Sequence, residues 1–163
     1  MADSTHMKCL DAVKAAAETL SLAGIVDANI VIVENWVNAL KDTVANYKAY
    51  FTSPPGVFLA PVGVEQIVAS SNLRDTVGYP VMFIIYDHTT SGSGFTVASL
   101  DKRLYWRQRL RERFHHQKMD LGSGDHVNCE MQFLNISSAV HLAQNRWISS
   151  AIIYCQQRES RVT

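Results

Sequence analysis

The chain has 163 residues, 47% of them hydrophobic and 18% charged, the profile of an ordinary globular protein with enough length for one sizeable core. Fifteen basic residues balance fifteen acidic ones, so no global field draws the chain to nucleic acid or to an anionic membrane. No apolar run approaches the roughly 20 residues of a membrane span, and the opening MADSTHMK lacks the basic-then-apolar order of a secretion signal.

In chain order, residues 4–23 read as a first helix. Ser4 or Thr5 can cap it, Met7, Leu10, Val13, Ala17 and Leu20 recur at helical spacing, and Gly24 stands where a C-terminal cap belongs. Residues 29–34 (NIVIVE) are a short β-branched strand. The next segment carries Trp36, Leu40, Val44 and Tyr47 at helical spacing, but Val, Thr, Asn and Tyr are poor helix formers. It reads equally as a helix or as an extended polar excursion before Pro54-Pro55-Gly56. PGVFLAPV (55–62) is a proline-bracketed strand, suited to a sheet edge or ending at Pro61. Residues 63–78 are polar and turn-rich, a loop or arm.

Tyr79 to Tyr86 is apolar on both alternations and predicts a central strand. A flexible Ser91-Gly-Ser-Gly94 link follows, and Ser99 with Asp101 behind it starts a second helix. Leu121-Gly-Ser-Gly124 turns the chain. Val127, Cys129, Met131 and Phe133 then alternate with polar residues, a half-buried strand. Trp147 to Tyr154 is the last strand, and QQRESRVT is a polar, exposed tail. The order α-β-β-β-α-β-β predicts an α+β fold: a mostly antiparallel sheet of about five strands, with two main helices packed on one face. We expect a single domain, 1–163, with 35–54 and 63–78 as candidate protruding arms.

Chemical signatures are lacking. Cys9, Cys129 and Cys155 are far apart and form no CxxC pair, and the last two fall in apolar alternations where a thiol behaves as a small hydrophobe. His115-His116 are adjacent on a helix end and point in different directions, so the helix dipole explains them better than a metal. Asp87-His88 ends the central strand, a position where active sites occur, but no spacing motif accompanies it. Ser91–Gly94 lacks the rest of a phosphate-binding loop. We expect no catalytic, cofactor-binding or metal residue, and no cofactor.

The concentrated charge lies between Asp101 and Lys118, where seven basic residues face two acidic ones. Arg103, Arg107 and Arg111 recur at i, i+4, i+8 and form one stripe, overlapping that of Leu100, Leu104 and Phe114. Lys102, Arg109 and Arg113 fall opposite, near Trp106. Two readings compete closely: a solvated face whose arginine stems cover the core margin, or a subunit interface built on Arg103, Arg107, Arg111, Tyr105 and Trp106, a composition enriched in interfaces. Nucleic-acid binding ranks third, since the rest of the chain compensates the charge.

The sequence of elements has a counterpart. A first helix, a strand, PGVFLAPV, GYPVMFIIYD, the RLYWRQRLRERF helix and a closing W-x-S-x-x-I-x-Y strand with RES together resemble the tail terminator and tail-completion (minor tail protein U-like) proteins of long-tailed bacteriophages. The resemblance spans most of residues 5–160 as element order and character. It implies an antiparallel sheet with helices on one side, assembled as a homo-oligomeric, hexameric ring. Such a ring caps the tail tube, stops its growth and meets the head-side connector or neck protein. DNA passes through its opening without sequence-specific contacts. The location implied is the virion tail or neck, after synthesis in the host cytoplasm, with no membrane partner and no catalysis. The segment 35–54 departs from the compact family pattern. The alternatives are a head-completion or neck protein of the same particle, or a small non-viral α+β ligand-binding domain or enzyme using the Asp87–His88 strand end.

Overall fold

A computed structural model describes residues 4–34, 50, 53–63, 65–71, 74–88, 97–122, 124–136 and 146–160. The expected segment 35–54 therefore falls mostly outside the described residues, as does Ser91–Gly94.

Helix α1 spans Thr5–Glu18. Ser4 is its N-cap, its hydroxyl accepting from the Met7 N–H at 3.2 Å. Cys9, Leu10, Val13, Ala16 and Ala17 form its buried stripe. The helix stops five residues short of the expected Gly24 region because Thr19 ends it: its Oγ1 donates to the Ala16 carbonyl at 2.7 Å. Ser21 then takes a positive φ of 48° and reverses the chain.

Among the described residues seven strands form one sheet: β1 (Ile30–Ile32), β2 (Gly56–Pro61), β3 (Gln66–Ser70), β4 (Arg74–His88), β5 (Gln117–Gly122), β6 (Asp125–Ile136) and β7 (Arg146–Ser160). The order across it is β1-β2-β4-β7-β6-β5, with β3 also on β4. Every pairing is antiparallel except β1 with β2. The α+β architecture and the mostly antiparallel character match expectation; the sheet has more strands than the five expected. Strand β2 is no edge: it is flanked by β1 and β4, and it ends at Pro61. Buried Asn29 fixes the approach to it, donating from Nδ2 to the carbonyls of Ser53 and Pro55 at 2.8 and 3.1 Å.

Strand β4 organises the rest. Its 15 residues pair along one side with β7 throughout. On the other side β2 covers Val81 to Tyr86 and β3 covers Asp75 to Gly78. Pro80, in mid-strand, falls at the handover between β2 and β3. Its carbonyl accepts from the Val62 N–H at 3.3 Å, so its ring nitrogen points to the same side. There the two neighbouring strands break off, and a missing N–H leaves no ladder partner stranded.

The segment 63–78 is thus no loop but the β3–β4 hairpin, and the tail QQRES is the end of β7, paired to it. Strand β5 also appears where a helix end and turn were expected. Gly122 and Gly124, at φ 86° and 82°, close the β5–β6 turn.

Helix α2 spans Val97–Phe114, beginning two residues before the expected Ser99. Both helices pack on one face of the sheet. There Val57, Leu59, Val81, Phe83, Ile85, Val127, Cys129, Trp147, Ile153 and Cys155 meet Leu10 and Val13 of α1 and Trp106, Leu110 and Phe114 of α2. Each large apolar side chain so buried contributes about 1.5–3 kcal/mol. The opposite face holds a second cluster around Phe58, Met82, Ile84 and Tyr86, with Tyr50 edge-on to Phe58 at 5.4 Å.

Candidate functional site

The basic helix divides by depth. Its inner face is Arg103, Trp106, Leu110 and Phe114, all buried, while Leu100 and Leu104 are 48% and 51% exposed. The expected apolar stripe is therefore rotated: an arginine holds the inner position, and two leucines face outward. The reason is a carboxylate beneath. Asp87, at the end of β4, accepts from Arg103 Nε and Nη2 at 3.1 and 2.7 Å on a single oxygen. The Arg103 guanidinium carbon also lies 5.3 Å from the ring centre of Trp147.

Trp106 packs against Trp147 with ring centres 6.1 Å apart. Its indole N–H donates to the Ala23 carbonyl at 3.1 Å, which satisfies the polar tip of a fully buried ring. Lys102 lies 4.8 Å from its centroid. Of the five residues proposed for a subunit interface, Arg103 and Trp106 are thus directed into the chain's own core. The charge on this part of the stripe serves packing.

Arg107 is intermediate. It donates to Ser149 Oγ at 3.0 Å, and its guanidinium carbon lies 4.2 Å from the Phe133 ring centre. Burial lowers its pKa, since a cation partly removed from water is disfavoured. No carboxylate pairs with it among the described residues. One turn on, Arg111 is exposed. Tyr105 is 50% exposed on the outer face. Arg109 and Gln108 both bond Glu112, at 3.4 and 2.8 Å. The outward side of α2 is therefore a mixed surface: Leu100 and Leu104 beside Arg107 and Arg111, with Tyr105 around the helix.

A second surface lies on the β3–β4 hairpin. Every residue of β3 is exposed, Ile67 by 66% and Val68 by 53%. A register shift between Ile67 and Ala69 marks a bulge. Val68 Cγ2 lies 3.1 Å from where a Cβ on Gly78 would stand, so the glycine lets β3 lie close. The hairpin turn is tied by Ser71, whose hydroxyl accepts from the Arg74 N–H at 3.2 Å and donates to the Arg74 carbonyl at 2.9 Å. The outer edge of β3 pairs with no described strand.

The sequence signal for this surface was faint: a Q-I-V-A-S run, a Ser-Asn turn and an R-D-T-V run, too polar to read as sheet. The partners of the arginine stripe (Trp147, Phe133 and Ser149) were legible only as members of their own strand alternations.

The remaining candidates are placed as follows. Asp87 is engaged by Arg103. His88, beside Arg146 across the β4–β7 ladder, has a pKa lowered first by burial and then by Arg146, against a smaller opposing pull from Asp87. The three cysteines are free and buried. Cys129 and Cys155 are direct partners across β6 and β7. The neighbouring Cys129 and Cys9 thiols, together with burial, push the Cys155 pKa up and hold it protonated. His115 Nδ1 accepts from the Met131 N–H at 3.3 Å. His116 makes the turn out of α2 at φ 55°. Among the described residues no group of three or more His, Cys, Asp or Glu is arranged to hold a metal ion, and no helix is long and apolar enough to cross a membrane.

The chain matches no protein-family model, and no curated protein matches its sequence significantly.

Proposed function

We propose that the chain is a structural virion protein, a ring-forming tail terminator of a long-tailed phage. In this reading it caps the tail tube and joins it to the head-side connector, without catalysis or cofactor. The resemblance in element order and character motivates the proposal. The observation that carries it is the presence of two unlike exposed surfaces, the β3 edge with Ile67 and Val68 and the outward side of α2 with Leu100, Leu104 and Tyr105. A closed ring is built head to tail, so each subunit needs two different patches that meet neighbour to neighbour. A zero net charge also opposes association little.

A head-completion or neck protein is the nearest alternative, being ring-forming in the same way. A ligand-binding domain or enzyme at the Asp87–His88 strand end is less well supported, because the carboxylate it would use is committed to Arg103 inside the fold.

The test is light scattering over a concentration series, with electron micrographs of the same fractions, followed by incubation with polymerising tail tube protein. Closed rings, hexameric on this reading, that arrest tube growth support the terminator. Rings that ignore the tube and bind only a connector point to the neck protein. A protein that neither assembles nor caps tubes sinks the proposal.

A further inference from the structure

We infer that the β3 edge of one copy docks on the outward side of α2 of the next, with Ile67 against Leu100 and Leu104 and with Glu65 meeting Arg107 and Arg111. This names the contact between subunits and rests on the ring reading above.

Charge and apolar character argue for this occupant together. Arg107 is partly desolvated and has no carboxylate among the described residues, and Arg111, on the same stripe, has none either. Exposed Glu65, next to β3, pairs with no described basic side chain. One surface therefore offers an exposed isoleucine and a carboxylate with no described ion pair, and the other offers two exposed leucines and two such guanidinium groups. Complementary charge fixes register and suppresses wrong pairings, and the apolar side chains supply area to bury.

The spacings agree. Along an extended strand Glu65 lies about 7 Å from Ile67, on the same face. Along a helix axis Arg107 and Arg111 lie about 4.5 and 10.5 Å from Leu104. A strand laid along α2 with Ile67 on the leucines thus brings its carboxylate within reach of one or both arginines. The two patches occupy different elements of the chain, so the contact is heterologous and can repeat around a ring.

The test is site-directed crosslinking in the full-length protein. Ile67→Cys and Leu104→Cys are made separately and together, and circular dichroism checks each fold. Both positions are exposed, so neither change disturbs the core, and the three native thiols are buried. Under mild oxidation the equimolar mixture of single variants should give a covalent dimer. The double variant should give a ladder, and each single variant alone should give neither.

A charge exchange reads the same contact independently. Glu65→Arg or Arg111→Glu alone should raise the concentration needed for assembly at least tenfold, and the two together should recover most of it. If rings form but the mixture does not crosslink, or Ile67→Cys alone crosslinks as strongly as the mixture, the docking is wrong while the ring reading survives. If the wild type stays monomeric at every concentration and the mixture fails to crosslink, the docking is likewise overturned. The terminator reading then rests on tube capping alone.

Discussion

Arg103 and Asp87 close a buried ion pair in which two guanidinium nitrogens share one carboxylate oxygen, at 2.7 and 3.1 Å. The pair pins the middle of α2 to the end of β4 and removes from the surface both an arginine and a carboxylate that the sequence presents as functional candidates. Asp87→Ala leaves Arg103 buried without its counter-charge and is expected to destabilise the fold by about 3–5 kcal/mol. Replacing both, Asp87→Leu with Arg103→Met, should restore much of that. Urea unfolding of the single and double variants measures the coupling; equal losses in Asp87→Ala and the double variant would mean the pair is not an energetic unit.

His88 gives the protein an acid-sensitive limb. Burial and Arg146 depress its pKa in the fold, so the unfolded chain takes up a proton first as pH falls below the ordinary histidine value near 6.5. The stability contributed by the neutral imidazole is fully present above that value and is lost as pH falls through the folded pKa. His88→Asn should flatten the stability profile between those limits. Chemical denaturation at several pH values, with an NMR titration of His88, checks the direction; a His88 that titrates at or above 6.5 contradicts it.

Tyr79 sets the corresponding alkaline limb. Its phenol donates to the Glu159 carboxylate, and burial, then that bond and the Glu159 charge, push its pKa well above the ordinary value near 10. The folded chain keeps this proton more tightly than the unfolded one, so stability is intact below pH 10 and declines as pH rises above it. Tyr79→Phe should lose roughly 1 kcal/mol at neutral pH and remove this part of the alkaline decline. Phenolate absorbance near 295 nm should show one tyrosine titrating only with unfolding.

Cys9, Cys129 and Cys155 should behave as core residues. With all three thiols buried and Cys155 held protonated by its neighbours, a thiol reagent should label the native protein far more slowly than the denatured one, in which all three react. Cys155→Ser places a hydroxyl in this apolar setting and should destabilise by about 1–3 kcal/mol. Rapid labelling of the native state would show that this part of the core opens readily.

What the sequence conveyed and what it hid divide along burial. Helix α1, the middle of β4 and the alternation of β6 were legible because one side of each faces the core and leaves a period. Strand β3 is exposed throughout, β5 buries only Met119 among mostly exposed residues, and the end of β7 is polar. Such strands carry almost no hydrophobic period, and only the neighbour that pairs with them makes them strands. The helix α2 was located well but oriented wrongly, because nothing local announces that Arg103 has Asp87 beneath it. With that pair known, Leu100 and Leu104 turn outward and the candidate interface shrinks to Tyr105, Arg107 and Arg111 with the two leucines.

The length of β4 has a mechanical consequence. The hairpin and the centre of the sheet are stretches of the same strand, about 50 Å long, with no joint between them, and β7 follows it through all 15 residues. Tension on the hairpin along β4 therefore loads the ladder with β7 in shear, so that its hydrogen bonds resist together and do not unzip in turn. A neighbour holding the outer end of this ribbon grips the subunit by its most strongly anchored part.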